Sequence, residues 1–390
     1  MWTRRLWANV AGVLLFAGCA EQVTSPVAAP RVEPLVPTLA DAALVIGGTN
    51  VVKASSMDGW VLAVESGTGS TGGFATGPTG QPLGNGSAEL TISAAAQGHV
   101  LALPSVFGGS RLDQMTLSYS TYRQTADAGN NLAIALQFNL DHDVTALNDG
   151  NPVNGIEDFQ GRLVYEPYQT FGGGVTQGAW QAWTAHLGKW WRTTSLATRA
   201  TLPFPNDCVQ ATPCTVAEIL SKWPDAGISA TYDAIVLKAG SGWNVPFTGN
   251  VDQLVIGVNA VTTTFNFEPE TQCTTTCYVN AATGSDAFGG DTPASAKLTI
   301  QAALNQVSAN GTVRVFPGTY NESVPGSAPT SIPGTYQFGL FFGSAKAGIT
   351  LMGVDATDTP ITNAAGTLAT INTDATNNFG FSGIFVEAAN

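Results

Sequence analysis

Positive charge is scarce in this chain. Lysine and arginine total 15 against 28 acidic residues, a formal net charge of −13, and only 11% of residues are charged at all. No basic run occurs, so the electrostatic footprint of a nucleic-acid binder is missing and nucleic acid is excluded as a partner. Histidine is equally sparse: His99, His142 and His186 are the only three, and they are scattered. Neither a zinc ligand set nor a Ser-His-Asp arrangement finds its histidines at a matching spacing. No glycine-rich phosphate or dinucleotide pattern links a strand to a helix. Past the N-terminal segment, no apolar run is long enough to cross a bilayer as a helix. What the chain has instead is 44 glycines, with abundant threonine, serine, asparagine and alanine. That composition suits an extracellular all-β protein, because turns draw on Gly and Asn while strands favour Thr and Val.

The N-terminus carries Arg4 and Arg5, an apolar stretch from Leu6 to Phe16, then Ala17-Gly18-Cys19. The apolar stretch is too short for a stable membrane span. The segment resembles a bacterial lipoprotein signal, with Phe16 where Leu is usual. The resemblance implies that residues 1–18 are removed and that Cys19 is lipidated and becomes the mature N-terminus. It places the protein in the cell envelope, exposed outside the cytoplasm on an outer membrane or cell surface. Residues 19–45 are rich in proline and small residues and read as an extended spacer. Of the five cysteines, four then remain, as Cys208-x₅-Cys214 and Cys273-x₃-Cys277. An even count in an oxidising compartment favours disulfides over zinc. The close spacing suggests local pairs, although three connectivities are open to four cysteines.

Residues 46–269 read as short strands separated by turns. Leu132, Ile134, Leu136, Phe138 and Leu140 alternate with small or polar residues, the pattern of a half-buried strand. Met115, Leu117 and Tyr119 alternate in the same way. Further strands are expected over 60–65, 89–93, 161–166, 234–238, 253–258 and 262–267. One helix interrupts them: Thr215-x-x-Glu218 is a capping-box pattern, and Pro224 stops the helix it opens. The expectation is an antiparallel β-sandwich. Its strand pattern and composition resemble the concanavalin-A/laminin-G-like jelly rolls of surface proteins and carbohydrate-binding modules.

At Glu268-Pro-Glu-Thr-Gln-Cys273 the composition shifts. Tyr278-Val279, Gly284-Ser285-Asp286, Thr292-Pro293, Thr299-Ile300-Gln301-Ala302-Ala303 and Pro317-Gly318-Thr319-Tyr320 come next, in that order. This series resembles the entry segment of pectate-lyase-like right-handed parallel β-helices. It implies that residues 270–390 are the N-terminal coils of such a solenoid, with the helix Thr299–Ser308 covering its first coil. Strands over 349–352, 369–371 and 383–386 would stack as successive rungs. Because the sequence stops directly after the last of these with no capping helix, the expectation is a fragment of a longer reading frame.

No catalytic residue is assigned. Asp286, Asp291 and Glu322 read as turn caps or solvent-facing groups. A crowd of aromatics, including Trp180, Trp183, Trp190 and Trp191, is expected mostly to fill the sandwich core, while any that reach the surface offer flat polarisable faces on which sugar rings stack. Trp190-Trp191 is the preferred surface candidate, since neighbours on a strand point to opposite faces. Asp141, Asp143, Asp149 and Asp158 read first as a solvated acidic hairpin with Asx-turns; the alternative is that their clustered hard oxygens hold Ca²⁺. With Ala146 at the turn-glycine position, the loop is not an EF-hand. The leading expectation is a surface-anchored lipoprotein that binds polysaccharide or another cell-surface glycan. The alternatives are a polysaccharide lyase or glycoside hydrolase whose catalytic coils lie beyond this chain, and a structural adhesin with a solenoid spacer. Labelled fatty acid fed to an expressing bacterium should enter the wild-type protein and leave Cys19→Ala unlabelled.

Overall fold

The computed structural model describes residues 46–104, 106–125, 132–145, 159–171, 174–193, 207–230, 233–243, 245–322, 324–325, 337–362, 368–373 and 382–386. Cys19, the signal segment and the spacer lie outside the described residues, as do Asp149 and Asp158. Among the described residues, no helix is long and apolar enough to cross a membrane.

Two sheets form the first unit. One runs β1 (Thr49–Val52), β15 (Val261–Phe267), β14 (Phe247–Val258), β4 (Gly86–Ile92) and β3 (Thr71–Thr76), with β6 (Met115–Arg123) on β14 and β9 (Trp180–Trp183) on β6. The other runs β11 (Cys214–Thr215), β10 (Lys189–Arg192), β8 (Arg162–Tyr165), β7 (Ala135–Asp141), β13 (Ala234–Gly240), β5 (Gly98–Pro104) and β2 (Val61–Ser66), with β12 (Gly227–Ile228) on β7. Pairing is antiparallel except between β1 and β15. Inward residues of both sheets share one apolar core, including Leu90, Leu117 and Ile256 from the first and Leu101, Phe138 and Leu237 from the second. This is a β-sandwich, as the alternating strands predict. Trp60 sits in that core, edge-on to Phe265 at 5.1 Å and to Phe267 at 5.3 Å.

The expected helix spans Val216–Lys222, and its capping box is formed: the Glu218 N–H donates to Thr215 Oγ1 at 3.3 Å, and the Thr215 N–H donates to Glu218 Oε2 at 2.8 Å. A shorter helix, Pro167–Phe171, carries no cap signal and was not expected. One strand expectation needs correction. β7 is buried along its whole length, so Ala135, Gln137 and Asn139 face no solvent although they alternate with Leu136 and Phe138. Period two in the sequence reports which residues differ in polarity. It does not report whether the polar side is wet. Both disulfides are local, Cys208–Cys214 and Cys273–Cys277, which selects one of the three connectivities.

The second unit has its own apolar cluster, from Cys273 to Leu340. β16 (Thr276–Val279), β17 (Thr312–Val315) and β21 (Thr350–Gly353) pair in parallel, with Thr276, Thr312 and Thr350 in one register. β18 (Gly318–Glu322) pairs in parallel with β22 (Ala369–Thr373), and β20 (Gln337–Phe342) with β23 (Ser382–Val386), while β19 (Val324–Pro325) is antiparallel to β20. The helix Ile300–Gln306 buries Ile300, Ala303 and Leu304 against the cluster. Trp60→Ala should cost about 3–5 kcal/mol, by loss of a buried aromatic and the cavity it leaves. Urea unfolding should show a lower midpoint with an unchanged slope.

Candidate functional site

A sandwich strand turns every second side chain away from the core. On the outer face of the first sheet the strand registers align five such positions: Gly73 lies opposite Glu89, Glu89 opposite Asn250, Asn250 opposite Tyr122, and Tyr122 opposite Trp180. The result is a single row crossing β3, β4, β14, β6 and β9. Trp180 and Tyr122 are half-buried, with ring centroids 5.6 Å apart and planes tilted by 58°. The Trp180 indole N–H donates to the Pro78 carbonyl at 3.0 Å, which fixes the ring's edge.

Polar groups flank the rings. The exposed Gln124 amide donates to Glu89 Oε2 at 2.6 Å and to Asn250 Oδ1 at 2.7 Å. Asn250 Nδ2 in turn donates to Ser87 Oγ at 3.0 Å, and the Ser87 hydroxyl donates to the Gly77 carbonyl at 2.6 Å. Along one side of the row runs the β3–β4 connection, residues 77–85. It is pinned by Asp252, whose Oδ2 accepts from Leu83 N at 3.0 Å, and by Glu268, whose carboxylate accepts from Asn85 N at 3.1 and 3.2 Å. Gly84 is obligatory there. Its φ is +53°, and a Cβ would fall on the Glu268 carboxylate. Along the other side, Thr91 and Thr248 stand opposite each other with their hydroxyls 3.1 Å apart. Fixed aromatic faces beside amide and carboxylate groups can stack on the C–H faces of a polyhydroxylated ring and hydrogen-bond its rim.

Of the four candidate tryptophans, Trp180 alone is not fully buried. Trp190 and Trp191 do point to opposite faces, but both are buried, at 1% and 7% exposure. Trp190 lies in the main core, its N–H donating to the Ala185 carbonyl at 2.9 Å. Trp191 packs with Ala135 and Val164 on the outer face of the second sheet, its N–H donating to Glu166 Oε2 at 2.9 Å. Trp183 faces the core and donates to Thr121 Oγ1 at 2.8 Å. Only Trp180 reaches an accessible face. Tyr122, Glu89, Gln124 and Asn250 were not singled out from the sequence. Tyr122 falls on the outward positions of β6, in line with Thr116, Ser118 and Ser120, and the others are joined to it only by strand register.

At Asp141 and Asp143 the acidic segment forms the Asx-turns expected of it. β7 ends at Asp141, so Asp141 and Asp143 do not share a strand face. Asp141 Oδ1 accepts from Asp143 N at 2.9 Å, and Asp143 Oδ1 accepts from Thr145 N at 3.0 Å and from Thr145 Oγ1 at 2.7 Å. These are Asx-type turns, in which the side chains replace backbone partners. Among the described residues no group of acids, histidines or cysteines is placed to hold a metal. The carboxylates of the second unit are likewise engaged in structure. Asp286 caps Leu298 N and Thr299 N, Glu322 accepts from Ile300 N and Gln301 N, and Asp291 accepts from Ser295 Oγ.

The outer face of the second sheet is closed in a different way. Glu65 bridges Arg162 and Lys238, each at 2.5 Å. Burial pushes its carboxyl up, but the two cations outweigh that and hold it below the usual range.

No protein-family model matches the sequence, and no curated protein sequence matches it. Several solved structures show slight likeness. A family 11 carbohydrate-binding module from Clostridium thermocellum, in complex with a β-1,3-1,4-mixed-linked tetrasaccharide, is 12% identical, with 52% of this chain and 90% of that chain covered and a TM-score of 0.26. SGBP-B, from a complex xyloglucan utilization locus in Bacteroides uniformis, is 8% identical over 50% and 47%, at 0.23. The enzymatically active domain of tailspike protein 4 from bacteriophage CBA120 is 13% identical over 51% of this chain, at 0.25, and only 19% of that domain's length is spanned. Scores of this size carry no function across to this chain.

Asp252 is fully buried under the 77–85 connection. Burial pushes its carboxyl up to about 6; N–H donors from Phe267, Gln253 and Leu83 oppose this, and the negative Glu268 adds to it. The folded chain thus takes up this proton at a higher pH than the unfolded chain, where Asp titrates near ~3.9. Its contribution to stability is complete below about pH 4 and is lost as pH rises through about 6. Urea midpoints measured between those values should show wild type losing ground to Asp252→Asn as pH increases. A gap that does not change with pH would sink this assignment.

Proposed function

We propose that this chain is a surface-tethered glycan-binding protein whose sandwich holds its ligand on the outer face of the first sheet. The observation that carries this is the Glu89–Asn250–Tyr122–Trp180 row, an accessible aromatic pair set by strand register beside pre-bonded amides and a carboxylate. Its parts are held before any ligand arrives: the indole by Pro78, the Asn250 amide by Gln124 and Ser87. Groups already ordered lose little freedom on binding, which raises affinity for a given set of contacts.

The wider architecture belongs to the same proposal. A jelly-roll-like sandwich is followed by the opening coils of a right-handed parallel β-helix. Three sets of parallel pairs in the second unit, and a helix packed on its cluster, support that reading. Lipidation at Cys19 would hold the protein on a membrane facing outward, with residues 19–45 as spacer. Its support is the sequence Arg4-Arg5, Leu6–Phe16 and Ala17-Gly18-Cys19.

Affinity electrophoresis against a panel of soluble polysaccharides tests the site directly. At least one should retard the wild-type protein. Trp180→Ala should weaken that binding by about tenfold or more, equivalent to roughly 1.4 kcal/mol. Because Trp180 is half-exposed, melting temperature should change little. Retention that is unchanged in both Trp180→Ala and Tyr122→Ala would mean the ligand, if any, binds elsewhere.

A further inference from the structure

We infer that the two units are locked into one rigid body at Glu268-Pro269-Glu270, and that the same lock positions Trp180 through the 77–85 connection. The coupling needs no ligand. Only its consequence for affinity rests on the glycan reading of the Trp180 face.

The splice between the units is short. Phe267 is buried in the sandwich core and Cys273 in the second unit's cluster, so only Glu268 to Gln272 lie between them. The Glu268 N–H donates to the Val52 carbonyl at 2.9 Å, which carries the β1–β15 pairing one step past Phe267. Pro269 lies against Gly86, where an added Cβ would collide with the proline ring and the Glu268 carboxylate. Glu270 is buried and turns back to the sandwich. Its carboxylate accepts from the Ser55 N–H and, at 3.1 Å, from the Ser55 hydroxyl, with Lys53 Nζ at 4.0 Å. Ser55 is itself held in a tight turn, in which Lys53 and Ser56 exchange backbone hydrogen bonds at 3.0 and 2.9 Å.

The far side of the splice is held as firmly. Gln272 forms a backbone bridge with Gly290, and a Cβ on Gly289 would collide with the Thr271 carbonyl. The buried Lys297 ammonium donates to Gln272 Oε1 at 3.3 Å and to the Asp286 carbonyl at 3.1 Å. A flexible linker leaves its polar groups to water. Here a buried carboxylate is matched on the sandwich side and a buried ammonium on the other, and taking the partners from a buried charge is costly.

From the splice, a chain of hydrogen bonds leads to the aromatic row. Glu268 accepts from the Asn85 N–H at 3.1 and 3.2 Å. The Asn85 carbonyl accepts from Gly77 N at 3.0 Å and from Gln81 Nε2 at 2.7 Å, which closes the connection on itself. Pro78, next to Gly77, supplies the carbonyl that holds the Trp180 indole. The anchor of Trp180 therefore sits in a loop whose closure depends on Asn85, and Asn85 depends on Glu268. Ser87 and Asp252 hold the same loop at Gly77 and Leu83, so loss of Glu268 loosens the platform without unfolding it. Glu268 is a positioning residue, and a contiguous network of this kind carries coupling in both directions.

Nitrogen-15 relaxation on the whole chain, with water exchange of the Trp180 indole N–H, provides the test. The indole resonance is the one that disappears in Trp180→Phe. In the wild type both units should share one rotational correlation time. Glu268→Ala should speed exchange of the indole proton by about tenfold or more, and Glu268→Gln, which keeps an acceptor for Asn85, should restore it. Gly86→Ala, which wedges Pro269 away, should both speed that exchange and make the units tumble apart. Glu270→Ala should separate the tumbling as well. Independent tumbling in the wild type would overturn the lock. Indole exchange unchanged in both Glu268→Ala and Gly86→Ala, or equal in Glu268→Gln and Glu268→Ala, would overturn the positioning role. Neither readout involves a sugar, so such results leave the glycan reading standing. Polysaccharide retention that ignores Trp180 and Tyr122 would sink that reading and leave the lock in place.

Discussion

The register of β14 against its neighbours is the constraint on which the rest of this structure depends. This one strand pairs with β15, β4 and β6, and so joins every part of the first sheet. Its inward side chains change parity along its length: Phe247 and Val251 face the core in the first part, Leu254 and Ile256 in the second. The change is made by one extra residue, a bulge between Asp252 and Val255, where Gln253 takes a φ of +52°. A bulge of this kind bends the strand and re-aims the side chains beyond it. Without it, either Leu254 and Ile256 or Val251 would have to face outward. A slip of one residue against β6 or β4 would turn Asn250 inward and scatter the row, because side-chain direction has a period of two.

The outer face shows what that register is used for. Outward positions of a sandwich normally need only be soluble. Here three of them, Ser87, Asn250 and Asp252, are fully buried: Ser87 and Asp252 bond to the 77–85 connection, and Asn250 bonds to Ser87 and Gln124. A buried polar group without a partner costs about 1–3 kcal/mol, so the connection is fixed in place by the groups it covers. The stiffness of the Trp180–Tyr122 platform and the burial of Asp252 are then two results of one packing arrangement. The second sheet uses its outer face differently, crossing it with the Glu65, Arg162 and Lys238 network and burying Trp191. The two outer faces are therefore covered differently, one by the 77–85 connection and the other by an ion-pair network.

Much of the secondary structure was legible from the chain. The alternations over Met115–Ser120 and Leu132–Leu140, the capping box at Thr215 and Glu218, and the amphipathic run from Ile300 to Val307 all correspond to elements where they were expected. These signals are local: each depends on residues within one or two turns of a helix or a few steps of a strand. The site was not legible in the same way. Glu89, Tyr122, Trp180 and Asn250 are separated by dozens of residues, and nothing within a short window links them. Composition offered tryptophan as the carrier of a binding surface and preferred Trp190-Trp191, both of which are buried. Adjacent residues on a strand must face opposite ways, but the sequence could not show that both faces of β10 are covered.

By itself the sequence determined that the chain is predominantly β and where two of its helices, Val216–Lys222 and Ile300–Gln306, start and stop; it favoured disulfides without choosing among the three connectivities. Those outcomes are set by propensity, capping and periodicity, which act over a few residues and need no knowledge of neighbours in space. Tertiary structure alone decided which of the four candidate tryptophans is accessible and that Glu89, Asn250, Tyr122 and Trp180 form one row. Each of these depends on which strand lies beside which and in what register. That choice is set by how two sheets bury a common core, a property of the whole chain that no short stretch of it contains.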